Sequence, residues 1–201
     1  ECLEDSEPKV LFVDDNYREE AIAIQKACPS ITYIVYAGDV FQPQSPPDGM
    51  LSYEASITDI AELSECEVTP GKDADTVMIF YTGGTTGRSK GVMLTHKNFY
   101  TNTAGGISMY RLNLGKAFMI SGPLFHLAAG ARVFISAAIG GHSVILPKFD
   151  VGEVLRDTEK YRINSLTLVP TMLQMLLDHP DFDKFDLSSL DMVAYGAAPM
   201  P

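Results

Sequence analysis

The sequence predicts an α/β protein, with layered, mostly parallel sheets covered by helices. Short runs of four to six residues recur that are apolar throughout instead of alternating, as strands buried on both faces are. Segments with helix-capping residues and helical patterning lie between them, the alternation that parallel sheets require. At 201 residues, 46% hydrophobic and 20% charged, the chain is long enough to bury a sizeable core.

Taken in order, Val10–Val13 reads as a strand, and Asp14, Asp15 and Asn16 then offer N-cap side chains for a helix through about Ala27. A β-branched and aromatic run at 31–36 is a strand closed by Gly38. Residues 41–49, with Pro43, Pro46 and Pro47, read as a loop, and 56–63 as a helix. An acidic connector at 65–75, around Pro70-Gly71, marks the expected boundary between an α/β segment 1–72 and a second α/β segment 73–201.

The second segment is more regular. A strand at 77–82 leads into a Gly/Thr loop and a short apolar segment at 92–94, after which Thr95 caps a helix running toward Ala104. A strand at 117–121 precedes a buried helix at 128–139, stopped by Gly140-Gly141, and a strand at 143–146. Asp150 with Glu153 is a capping-box-like start for a helix to Tyr161. A strand at 166–169, a helix at 171–177 and a strand at 192–195 complete the pattern, which shows no internal repeat.

Charge excludes several function classes. With 26 Asp+Glu against 15 Lys+Arg, a net charge of -11 and no basic cluster, the chain is no nucleic-acid binder. No stretch reaches the roughly 18 apolar residues of a membrane span. The nearest, 127–146, is broken by Arg132, His142 and glycines, so no transmembrane segment is expected. The start, Glu1 to Asp5, lacks the basic and apolar parts of a signal peptide. Cys2, Cys28 and Cys66 are odd in number and far apart, which suits reduced thiols and a cytoplasmic location. The chain opens without Met and stops at Pro201 straight after a motif-like turn, so it reads as an internal piece of a longer protein.

The most informative segment is Tyr81-Thr82-Gly83-Gly84-Thr85-Thr86-Gly87-Arg88-Ser89-Lys90-Gly91. Glycines expose backbone N–H groups, threonines add hydroxyls and Lys90 adds a point charge, the donor set a polyphosphate needs. The alternative is a glycine-rich hairpin turn without a ligand. It is not a Walker A loop, because Ser89 precedes the lysine and Gly91 follows it.

This segment resembles the phosphate-binding signature of the adenylate-forming superfamily, which includes acyl-CoA synthetases, firefly luciferases and peptide-synthetase adenylation domains. Gly83 and Ser89 depart from the usual Ser/Thr and Pro, but the lysine and the paired threonines are kept. Three further segments are similar in the family's order: Pro123-Leu124-Phe125-His126-Leu127-Ala128-Ala129-Gly130, Pro147-Lys148-Phe149-Asp150, and Tyr195-Gly196-Ala197-Ala198-Pro199. The resemblance runs from about Thr76 to Pro201, is closest to bacterial fatty-acid and related acyl-CoA synthetases, and implies part of the large N-terminal domain of such an enzyme.

What the resemblance implies is activation of a carboxylic, by preference fatty, acid with ATP to an acyl-AMP, followed by transfer to CoA, with Mg2+ accompanying the ATP. Thr82, Gly83, Gly84, Thr85, Thr86, Gly87 and Lys90 match ATP-binding positions, Lys90 with a catalytic role and Thr82 also as a metal ligand. His126 matches a catalytic position beside the carboxylate and α-phosphate; taken alone, a histidine in an apolar stretch is more often a core residue. Gly196, Ala197, Ala198 and Pro199 match the turn that receives the adenylate. Lys148 is either a solvated surface lysine or, by the family match, a CoA contact. Met109, Met119 and Met172 are ordinary core or the wall of an apolar tunnel, and His96, His142 and His179 read as structural or surface residues.

Later family elements, among them a ribose-binding aspartate and a C-terminal domain with a catalytic lysine, lie outside this sequence, so the piece alone is expected to form no acyl-adenylate. The alternatives are a fatty acyl-AMP ligase, a peptide-synthetase-type adenylation domain, or a non-catalytic nucleotide-binding module. Homo-oligomerisation is compatible with each.

Overall fold

The computed structural model describes residues 1–39, 45–58, 70–83, 87–196, 198 and 199. It has parallel sheets with helices, as the sequence predicts. The loop at 41–49 is therefore described only from 45 onward, and the helix expected at 56–63 only to Thr58. Cys66 lies outside the described residues.

Two compact units emerge, one of Glu1–Gly71 with Tyr81–Val92, the other of Lys72–Phe80 with Met93–Pro201. The first holds helix α1 (Cys2–Ser6), strand β1 (Val10–Val13), helix α2 (Arg18–Ala27), strands β2 (Tyr33–Tyr36) and β3 (Leu51–Ser52), and helix α3 (Tyr53–Thr58). Its sheet runs β1-β2-β3, all parallel, with Val10 opposite Tyr33 and Val35 opposite Leu51. Val13, Ala21, Cys28, Ile31, Ile34, Tyr36 and Met50 form its core. Asp14 caps the chain after β1 by accepting from the Asn16 N–H at 2.9 Å, but the first turn there is 3-10, so the α-helix starts only at Arg18.

Strands β4 (Thr76–Tyr81) and β5 (Gly91–Thr95) form a two-stranded sheet on either side of the Gly/Thr loop. Helix α4 (His96–Met109) follows at once, with Thr95 and Asn98 making both arms of a capping box. It continues five residues beyond the expected end at Ala104, through Gly105-Gly106. Tertiary packing explains this: a Cβ on Gly106 would come within 2.9 Å of Ile135 Cδ1, so the bare backbone lets a neighbouring helix approach.

The remaining elements are strand β6 (Ala117–Ile120), helix α5 (Leu127–Ala138), strand β7 (His142–Ile145), helix α6 (Val151–Lys160), strand β8 (Ser165–Leu168), helix α7 (Pro170–Leu177) and strand β9 (Met192–Tyr195). They build a parallel sheet in the order β7-β6-β8-β9. All four β6 residues are buried, and they divide by parity. Ala117 and Met119 pack with Val154, Leu155, Ile163 and Leu176 on the α6/α7 side, while Phe118 packs with Ile135 and Ile139 on the α4/α5 side.

Three helices in this unit end the same way. After α5, Gly140 takes φ 59°, its N–H reaches the Ala137 carbonyl at 3.1 Å and the Gly141 N–H reaches that of Ser136 at 2.7 Å. The same pair of bonds closes α4 through Arg111 at φ 50° and α6 through Arg162 at φ 52°. Only the first of these stops was marked by glycine.

Candidate active site

The order β7-β6-β8 places a topological switch at β6. The chain leaves β6 through α5 toward β7, then returns through α6 to β8 on the other side of β6. In open parallel sheets the crevice beyond the carboxyl ends of two such strands is where ligands bind. The second unit has a cavity of about 980 Å³ there, walled by Ile120, Ser121 and Gly122 after β6, Thr167 to Val169 at the end of β8, and Ala194 to Gly196 at the end of β9. The facing sides of α4 and α5 complete it.

His126 stands at the mouth of α5 as its N-cap residue, with φ −93° and ψ 132° and no side-chain cap bond. Its N–H bonds to the Pro123 carbonyl at 3.0 Å, and its ring packs on Phe125 at 4.8 Å between centroids. Leu127, Ala128 and Ala129 follow it along the lining, so the uncapped positive end of a twelve-residue helix borders the cavity. Gly130 makes the preceding turn feasible, since a Cβ there would lie 2.9 Å from the Leu124 carbonyl oxygen and 3.3 Å from the Phe80 ring.

The lining is mainly apolar, and Met109, Met119 and Met172 all belong to it. Two buried polar groups were not anticipated as site residues. Arg132, noted in the sequence only as an interruption of an apolar stretch, is 7% exposed and holds its guanidinium 4.7 Å from the centre of the Tyr110 ring. Ser121 is 5% exposed. Neither Arg132 Nη1 nor Ser121 Oγ has a hydrogen-bond partner.

The Gly/Thr loop belongs to the first unit. Thr82 and Lys90 close its base: the Thr82 N–H donates to the Lys90 carbonyl at 3.0 Å, and the Lys90 N–H donates to Thr82 Oγ1 at 3.2 Å. Thr82, Gly83, Gly87 and Lys90 are all exposed. The flank is tied to α1, for Tyr81 donates to Asp5 at 2.8 Å and Arg88 pairs with Glu1 at 3.1 Å. Burial, reinforced by the Asp5 carboxylate, pushes the Tyr81 hydroxyl above the usual tyrosine range. Gly84, Thr85 and Thr86 lie outside the described residues, as does Ala197. Among the described residues no three His, Cys, Asp or Glu side chains gather as a metal site.

A family model described as AMP-binding enzyme matches residues 1–201. The chain belongs to the AMP-binding enzyme family. It is 37% identical to the medium/long-chain-fatty-acid–CoA ligase FadD8 of Mycobacterium tuberculosis, over 98% of this chain and 34% of that protein. It is 30% identical to the indoleacetate–CoA ligase of Aromatoleum aromaticum, over 100% of this chain and 38% of that protein. The chain thus spans about a third of the length of these curated relatives. Among solved structures it resembles the inhibitor-bound N-terminal domain of FACL13 from Mycobacterium tuberculosis, with a TM-score of 0.82, 27% identity, and coverage of 100% of this chain and 47% of that one. ATP-bound MatB from Rhodopseudomonas palustris matches with a TM-score of 0.78 and 27% identity, over 99% of this chain and 37% of that one.

Within this member of the AMP-binding enzyme family the residues singled out from sequence fall into separate groups. His126 and Gly196 line one cavity together with Ala128 and Ala129. Ala198 and Pro199 are exposed and outside that lining, and so is Lys148, in the bend after β7. Thr82, Gly83, Gly87 and Lys90 share the loop base of the other unit. His96 and His142 are exposed, and His179 accepts the Asp181 N–H at 3.2 Å, a local structural role.

Proposed function

We propose that the full-length protein activates a carboxylic acid with ATP to an acyl-AMP, releasing pyrophosphate, and then passes the acyl group to CoA. The observation that carries this reading is the apolar cavity at the carboxyl ends of β6, β8 and β9, entered beside His126, in a chain that also bears the Gly/Thr/Lys loop. The CoA-ligase names of the 37% and 30% identical relatives support it. The apolar lining favours an acid with an alkyl body.

A carboxylate must attack the α-phosphorus of a polyanion, so the work lies in positioning and in cation and N–H stabilisation of phosphate oxygens. Lys90, Thr82, Gly83, Gly84, Thr85, Thr86 and Gly87 are assigned to the triphosphate. Of the two cations in the loop, Arg88 is held by Glu1 and Asp5, whereas no described partner engages the Lys90 ammonium. His126, beside the α5 N-terminus, is assigned to hydrogen bonding at the carboxylate and α-phosphate. The turn Gly196, Ala197, Ala198 and Pro199 is assigned to the adenylate, its lack of bulk leaving backbone for a flat base, and exposed Lys148 to the CoA nucleotide.

Magnesium travelling with ATP draws most of its oxygen ligands from phosphate and water, and one hydroxyl from the chain suffices. Exposed Thr82 Oγ1 fits that need. The ion would supply neutralisation of charge between phosphates.

The test is pyrophosphate release by the full-length protein over a panel of acids, with AMP and acyl-thioester measured with and without CoA. Acid-dependent pyrophosphate with CoA-dependent thioester is expected. Release of pyrophosphate with no thioester would assign the acceptor to another thiol, and no acid-dependent release would end the ligase reading.

A further inference from the structure

We infer that Arg132 makes the cavity of the second unit a receptor for an acid with a second carboxylate at its far end, an α,ω-dicarboxylic acid. The inference deepens the ligase reading and takes from it only that the cavity's occupant is the acid.

Arg132 is 7% exposed and carries a planar guanidinium cation. One face of its head group stacks over Tyr110. Its Nη1 is buried without a hydrogen-bond partner, and among the described residues no Asp or Glu forms an ion pair with the guanidinium. Among the described residues the cavity lining contains no carboxylate. A largely buried cation with no carboxylate beside it is costly, so an occupant that brings one is favoured.

Helix geometry sets the spacing. Arg132 is six residues along α5 from His126, which at 1.5 Å per residue is about 9 Å down the helix axis. An acid whose reacting carboxylate lies at the α5 N-terminus therefore presents its opposite end to the guanidinium. Between the two points Leu127, Ala128 and Ala131 offer apolar wall suited to methylenes. A methyl group at the far end leaves the guanidinium without an anion beside it, whereas a carboxylate meets it with charge-assisted hydrogen bonds.

The experiment is calorimetric binding of octanedioate and of octanoate to the full-length protein, its Arg132→Met variant and its Arg132→Lys variant. Wild type should bind octanedioate about ten- to hundred-fold more tightly than octanoate. Arg132→Met should abolish the preference and Arg132→Lys should keep part of it. Equal affinities in wild type, binding of neither acid, or a preference that survives in Arg132→Met overturns the inference. A fall in ATP affinity in Arg132→Met with the acid preference unchanged assigns the guanidinium to the nucleotide and overturns it as well. Should Arg132→Met fail to fold, the wild-type comparison and Arg132→Lys still decide. Pyrophosphate release is read in parallel: an Arg132-dependent preference without release upholds the dicarboxylate site and fails the ligase reading, and release from octanoate without any preference does the reverse.

Discussion

The Gly/Thr loop of the first unit offers its groups from one short stretch, 82–90, and leaves them exposed. The cavity of the second unit collects its wall from Thr101 to Gly196 and buries a guanidinium in it. The loop's chemistry needs no packing, because amides, hydroxyls and an ammonium are useful to an anion as soon as the backbone turns around it. The cavity's chemistry exists only once α4, α5 and three strand ends have packed. Substitutions in the loop should therefore alter function with little loss of stability, and substitutions around the cavity should alter both.

The largest effect should come from the loop side. Lys90→Ala in the full-length protein removes a charge-assisted contact worth about 1.5–3 kcal/mol, a ten- to hundred-fold loss in pyrophosphate release with the melting temperature unmoved. Unchanged release would remove Lys90 from the triphosphate site. On the cavity side, Gly130→Ala forces a methyl against the Leu124 carbonyl oxygen and should destabilise the second unit by about 1–3 kcal/mol while displacing the turn that carries His126. Denaturant unfolding together with acid binding reads this, and a stable variant with intact acid affinity would break the contrast between the two regions.

A smaller effect sharpens it. Thr95→Ala removes the side-chain arm of the capping box of α4, the helix that walls the cavity, and leaves the arm from the residue-95 N–H to Asn98, at about 1 kcal/mol. Unfolding of the second unit should register that loss, and acid binding should weaken more than ATP binding. The smallest effect lies away from both regions. Hydrogen bonds from the Ser188 side chain and N–H, and then the Arg162 guanidinium, hold the Asp186 carboxyl at about 2, below its unfolded value near 4. A folded pKa below the unfolded one contributes stability that is complete above about pH 4 and is lost as pH falls toward 2. Asp186→Asn should accordingly remove that small contribution at neutral pH and flatten the loss of stability between about pH 4 and 2, which denaturant unfolding followed by far-UV circular dichroism at several pH values would record.

Local signals were readable wherever one residue decides a local question. Thr95 and Asp150 cap helices through their own side chains, at 3.2 and 2.9 Å, and β1 and β9 cover the residues their apolar runs mark. Gly140 ends α5 because its missing Cβ makes a left-handed residue cheap. Arg111 and Arg162 adopt the same conformation without that excuse, each within the same pair of closing backbone hydrogen bonds, and no composition rule would have found them. The run through Gly105-Gly106 in α4 was missed for the same reason, since the approach of Ile135 and not helix propensity keeps those residues helical. Arg132 was visible as a lone charge in an apolar stretch, yet the orphaned state of its Nη1 depends on what sits opposite, and that is written in residues far away in the chain.

By itself the sequence determined the α/β class, the place of most strands and helices, and the donor-rich loop around Lys90, because each rests on patterns and groups within about ten residues of one another. Tertiary structure alone decided that β6 lies between β7 and β8, that a cavity opens at this switch, and that an arginine in its wall has no carboxylate beside it among the described residues. Those outcomes depend on which faces pack and which charges are left unpaired, and such long-range balances leave no periodic trace along the chain.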